Sequence, residues 1–145
     1  MNVQEVLEDY NSMVARISIL NADIEKINNE ISDIQGASLD GLPKGKGFVE
    51  SSLEKQIIKK QEKIENKEKL IKELKQKLDI VDKLIKTLKK TNQDIIKMRY
   101  IDKMNIAEIA KQKGREYITI QRIIIKSIRK MQQQCNQDVH NIENV

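Results

Sequence analysis

Between Val3 and Ile34 apolar residues recur at alternating spacings of three and four. One series is Val3, Tyr10, Ile17, Ile24 and Ile31; the other is Val6, Met13, Leu20, Ile27 and Ile34. A strict heptad of this kind is the seam of a helix packed lengthwise on another helix. No proline or glycine interrupts it. The spacing predicts one unbroken helix, roughly 50 Å long at about 1.5 Å per residue, which Gly36 is expected to stop. Residues 36–49 hold four of the five glycines and the only proline, Pro43, and read as the loop of a hairpin. The loop lacks the GxxxxGK[ST] pattern of a phosphate cradle, so a flexible turn is expected there.

A second heptad runs from Leu53 to Leu88. Ile57, Ile64, Ile71, Leu78 and Ile85 form one series; Leu53, Lys60, Lys67, Leu74, Val81 and Leu88 form the other. Lys60 and Lys67 thin this seam near the loop. Beyond Leu70 the stripe widens with Leu70, Ile80 and Leu84, as it does on the first helix with Leu7 and Val14. A wide stripe needs more than one packing partner. An all-α fold follows: a long antiparallel helical hairpin over 1–90, then a smaller C-terminal unit over 91–131. In that unit Thr91 reads as an N-cap followed by Asp94 in the first turn. Three helical segments are expected, at about 92–100, 105–113 and 116–131, and the polar residues 132–145 are expected to fray as a flexible tail.

Composition sharpens this picture. Charged residues make up 34% of the chain and aromatics 3%, which suits helix–helix seams and not a thick globular core. The net charge of +5 is unevenly spread. Residues 1–35 hold two basic and seven acidic residues, and residues 91–131 hold ten basic and four acidic ones. The C-terminal surplus is available to an outside polyanion. Cys135 and His140 are the only residues of their kinds, so neither a disulfide framework nor a cysteine–histidine metal site is expected, and no cofactor is. The first ten residues lack the features of a signal peptide, and no apolar run approaches a membrane span, so a cytoplasmic protein without membrane contact is expected.

The stretch from Leu88 to Met131 carries the functional signal. Ile106, Ile109 and Ala110 share one helical face, and Gly114 follows four residues after Ala110, where a tight turn must reverse the chain. Ile120, Ile123, Ile124, Ser127, Ile128 and Met131 continue a buried stripe. The opposite face presents Tyr117, Gln121, Arg122, Lys126 and Arg129, a polar and basic face on an anchored helix, as a major-groove reader requires. Ile118 and Ile125 lie off the buried stripe. Candidate base-reading residues are Tyr117, Ile118, Gln121 and Arg122. Candidate backbone contacts are Arg99, Lys111, Lys113, Arg115, Lys126 and Arg129, with Gly114 as the turn.

This segment resembles region 4 of housekeeping-type sigma factors. The resemblance rests on Leu88 with Ile95-Ile96-Lys97-Met98-Arg99-Tyr100, on Glu108-Ile109-Ala110, and on the run from Ile120 to Met131 containing Lys126, Arg129 and Lys130. It covers about 44 residues. With the long N-terminal helices and the loop from Gly41 to Gly47, the chain as a whole is similar to phage-encoded, sigma-factor-like regulators of the ArpU and RinA kind. The resemblance implies control of phage or prophage genes. Glu116 stands where the family usually has Ser or Thr, and Arg115 where it has an apolar residue. Nothing resembles the sigma region that melts promoters, so an activator-like role is expected over a stand-alone sigma factor.

Double-stranded DNA is therefore the expected partner, with bacterial RNA polymerase as a further one. A homodimer is expected through the widened stripe at Leu7, Leu70, Ile80 and Leu84. The alternatives are a coiled-coil adaptor or assembly protein, RNA polymerase-binding or terminase-like, whose helix-turn-helix binds protein or binds DNA non-specifically, and a small terminase subunit. No pocket, metal cluster or nucleophile–base set suggests an enzyme.

Overall fold

The computed structural model describes residues 1–39 and 47–143, with side chains over 1–36 and 52–138. The described residues form six α-helices and no strand: α1 (Val3–Glu8), α2 (Tyr10–Leu39), α3 (Gly47–Lys86), α4 (Lys90–Tyr100), α5 (Ile106–Lys113) and α6 (Tyr117–Glu143). The all-α class follows from the periodicity. The chain divides into two compact units, one of residues 14–75 and one of residues 1–13 with 76–145. This differs from the division at residue 90 that the patterns suggest, because residues 1–13 and the end of α3 belong with the C-terminal helices.

In the unit of residues 14–75, every heptad position of α2 up to Ile34 and of α3 from Leu53 is buried or half-buried. Lys60 and Lys67 occupy seam positions and are satisfied there. Lys60 Nζ lies 2.7 Å from Glu30 Oε2, and Lys67 Nζ lies 3.4 Å from Asp23 Oδ2. Moving seven residues forward on α3 moves the partner seven residues back on α2, so the two helices run antiparallel in this unit. The Lys60 ammonium beside Glu30 holds that carboxyl below its ordinary pKa, through a hydrogen bond first and charge attraction second. Gly36 does not end the helix, which continues to Leu39. Residues 40–46 of the expected loop lie outside the described residues.

The other unit is packed more deeply. Its largest fully buried side chains are Val3, Leu7, Val81, Ile95, Ile96, Ile109, Ile120 and Met131. Each is worth about 1.5–3 kcal/mol relative to exposure. They come from α1, the end of α3, and α4 to α6, so the core joins the two ends of the chain. Two features reverse expectations. First, the N-terminal helix is broken at Asp9, which caps α1 with φ −92° and ψ 3°. The heptad is kept across the break, but Glu8 O is turned outward and accepts from Lys103 Nζ at 2.9 Å. Asn11 Nδ2 donates to Ile101 O at 2.7 Å beside it. Contacts from the α4–α5 turn thus meet the chain at this break in a seam that periodicity reads as continuous. Lys103 is the only non-glycine residue with positive φ among the described residues, at 58°.

Second, the helical chain continues past Met131, where a polar tail is expected to begin. The α6 helix runs on to Glu143. Cys135 is buried, and Gln132 closes a reciprocal pair with the start of the chain. Val3 N donates to Gln132 Oε1 at 2.8 Å, and Gln132 Nε2 donates to Met1 O at 3.0 Å. These polar residues hold the N-terminus, a role that local sequence does not reveal. The α1–α6 packing also changes the widened stripe. Leu7 is 0% exposed and Leu84 4%, so both are covered within the chain, while Leu70 and Ile80 stay about 40% exposed (38% and 42%). Of the four positions from which a homodimer is expected, two are therefore covered within the chain and two stay exposed. No helix among the described residues is long and apolar enough to cross a membrane.

Candidate nucleic-acid interface

Helix α4 begins at Lys90 with Lys89 as N-cap and no side-chain cap bond. Thr91, expected as the cap, therefore falls inside the first turn. The junction is held instead by Gln93 Nε2, which donates to Leu88 O at 2.8 Å. Ile95, Ile96, Met98 and Tyr100 face inward. Burial raises the Tyr100 pKa. Arg99 Nη1 donates to Met104 O at 3.1 Å and closes the following turn.

Helix α5 starts at a reciprocal cap. Asn105 Oδ1 accepts from Glu108 N at 2.8 Å, and Asn105 Nδ2 donates to Glu108 Oε1 at 2.8 Å. Asn105 is thus a side-chain N-cap, and Glu108 is tied to the Asn105 amide and not to its backbone N–H. Gly114 ends α5 in the left-handed region, φ 63° and ψ 37°, with its N–H shared between Ala110 O and Lys111 O. Arg115 N also donates to Ala110 O, at 3.0 Å. A Cβ at Gly114 would meet nothing within 4 Å. Glycine is favoured there by its φ alone and not by crowding. The small residue at the close packing is Ala110, which is buried.

Three residues after Gly114, α6 begins, with Glu116 O accepting from Thr119 N and Ile120 N at 3.1 and 3.2 Å. Ile120, Ile124, Ser127 and Met131 are buried on α6, which packs on α1, α4 and α5, with Ile123 and Ile128 half-buried. The remaining face holds Ile118, Gln121, Arg122, Ile125, Lys126 and Arg129, all exposed. No Asp or Glu occurs from Tyr117 to Gln137. A single-sign face of this kind, on a helix fixed by its other side, concentrates positive potential outward.

Of the sequence candidates, the structure brings Tyr117, Ile118, Gln121, Arg122, Lys126 and Arg129 onto one exposed helix, with Lys111 and Arg115 exposed at the preceding turn. Arg99 and Lys113 stand apart. Arg99 is half-buried in its bond to Met104, and Lys113 Nζ lies 3.7 Å from Asp94 Oδ2, so each has an internal role that sequence reasoning missed. A shallow hollow of about 250 Å³ beside the face is lined by Gln4, Arg99, Tyr100, Ile106, Gln121 and Ile125, among others. Among the described residues no group of His, Cys, Asp or Glu is arranged to hold a metal ion. Comparison with protein-family models, with curated proteins and with solved structures finds no match to this chain.

Proposed function

We propose that this chain is a sequence-specific DNA-binding transcription regulator whose α6 lies in the major groove. The observation that carries the proposal is the exposed, acid-free basic face of α6, set after a left-handed glycine turn and a capped helix that anchor it from behind. Tyr117, Ile118, Gln121 and Arg122 are assigned to base edges. Lys111, Arg115, Lys126 and Arg129 are assigned to phosphates. The resemblance to sigma region 4 and to phage regulators favours phage or prophage genes as targets. Arg99 and Lys113 are secondary in this scheme, because part of their bonding capacity is used internally. Dimerisation through Leu7 and Leu84 is not part of it, since both side chains are covered within the chain.

The test is selection of duplexes from a random pool, followed by titration of the recovered site. Arg122→Ala should cost about 1–3 kcal/mol at that site and relax its sequence preference, whereas Lys111→Ala should weaken all sequences alike. No enrichment, or unchanged binding by Arg122→Ala, refutes the reading face. A protein-binding adaptor is the second reading. It is favoured by the exposed apolar side chains of Tyr117, Ile118 and Ile125 on and beside the same face. An adaptor would show no salt-dependent affinity for DNA.

A further inference from the structure

The face of α6 mixes its charges with an isoleucine that the core does not use. Ile118 is 50% exposed in the first turn of the helix. It precedes Gln121 by three residues and Arg122 by four, so the three side chains are neighbours on the helix surface. Isolated exposed isoleucines are ordinary. This one is β-branched, which does not favour a helix, and it is surrounded by donors without a carboxylate on the same face. Its occupant must therefore be apolar at one point and polyanionic around it. In the major groove that combination is the 5-methyl group of thymine beside the phosphate backbone.

Ile125 provides an internal comparison. It is equally exposed, at 49%, but lies two turns further on. It borders the hollow shared with Gln4 and Ile106. At about 1.5 Å per residue it is about 10 Å along the helix from Ile118, and the N-terminal residues of a reading helix are the ones that reach base edges.

We infer that Ile118 reads a thymine 5-methyl group within one or two base steps of the base contacted by Arg122, so the preferred site contains a thymine at that position. This rests on the DNA-binding reading of α6 given above. The test uses the full chain and the duplex recovered by selection, with each thymine replaced singly by deoxyuridine, which removes only the methyl group. At one position the wild type should bind about fourfold more weakly, the loss expected for one buried methyl. At that position Ile118→Ala should bind the thymine and uracil duplexes equally, while Ile125→Ala should keep the wild-type sensitivity. Both substitutions are at exposed positions, and circular dichroism checks that helicity is kept. A selected site without thymine, a wild type insensitive to every replacement, or a uracil effect that persists in Ile118→Ala overturns the inference while leaving DNA binding intact. A wild type that binds no duplex at all overturns the DNA-binding reading itself, and this inference with it.

Discussion

The two units of this chain are built from the same kind of helix and differ in what their seams do. In residues 14–75 one helix meets one helix. The seam admits two lysines, each answered by an acid across it, and its best-buried side chains keep a trace of exposure. In the unit that joins residues 1–13 to 76–145, helices pack on several sides. All of the largest fully buried side chains are found there, and so is the candidate interface. A two-helix seam tolerates charge because its edges stay wet. A multi-helix core does not, and it can hold a reading helix in fixed orientation.

The largest expected effect follows from that contrast. Leu7→Ala or Ile109→Ala, each at a fully buried site, should cost about 2–5 kcal/mol, and Ile71→Ala in the open seam should fall at or below the low end of that range. Urea denaturation followed by circular dichroism measures all three; equal losses would erase the distinction between the units. Truncation after Met131 comes next. It removes buried Cys135 and the Gln132 pair with Met1 and Val3, and should lower stability by about 1–3 kcal/mol. An unchanged melting temperature would restore the picture of a frayed tail.

How much of this was legible in the sequence depended on whether the cause was local. The heptads named the seam positions of both long helices, and the acid-free run from Tyr117 named the exposed face of α6. The break at Asp9 is not visible in the sequence, because the heptad passes through it and the bonds beside it, from Lys103 and Asn11, join groups distant in sequence. The role of Gln132 was hidden for the same reason: its partners are Met1 and Val3. Lys60 and Lys67 thin the stripe in the sequence, and only the fold sets Glu30 and Asp23 opposite them. The spacing of Ala110 and Gly114 marks the turn, but the glycine serves its dihedral angle and not space.

Smaller changes sharpen the comparison further. Gly114→Ala should cost about 1 kcal/mol through positive φ, and Gly114→Asn less, since nothing crowds the site; a large loss for alanine would mean unseen packing at the turn. Ser127 Oγ is buried without a hydrogen-bond partner among the described residues, so Ser127→Ala should be neutral or stabilising by up to about 1 kcal/mol in thermal melts. The smallest effect is electrostatic. The Glu30 carboxyl titrates below its unfolded value, so its contribution is present above the ordinary carboxylate range and lost as pH falls through its folded pKa. Lys60→Met should flatten that acid limb of stability against pH; an unaltered limb would deny the pair any role.

The basic face of α6 is proposed to bind duplex DNA. The most direct test is the affinity of the full chain for the selected duplex across a series of salt concentrations, for the wild type and for a variant carrying Arg122→Ala, Lys126→Ala and Arg129→Ala. The wild type should lose affinity linearly on logarithmic axes. If all three side chains reach phosphates or the bases beside them, the variant, with unchanged helicity, should bind more weakly with a slope shallower by about 2–3. A wild type whose binding ignores salt, or a variant with the wild-type affinity and slope, would contradict this proposal.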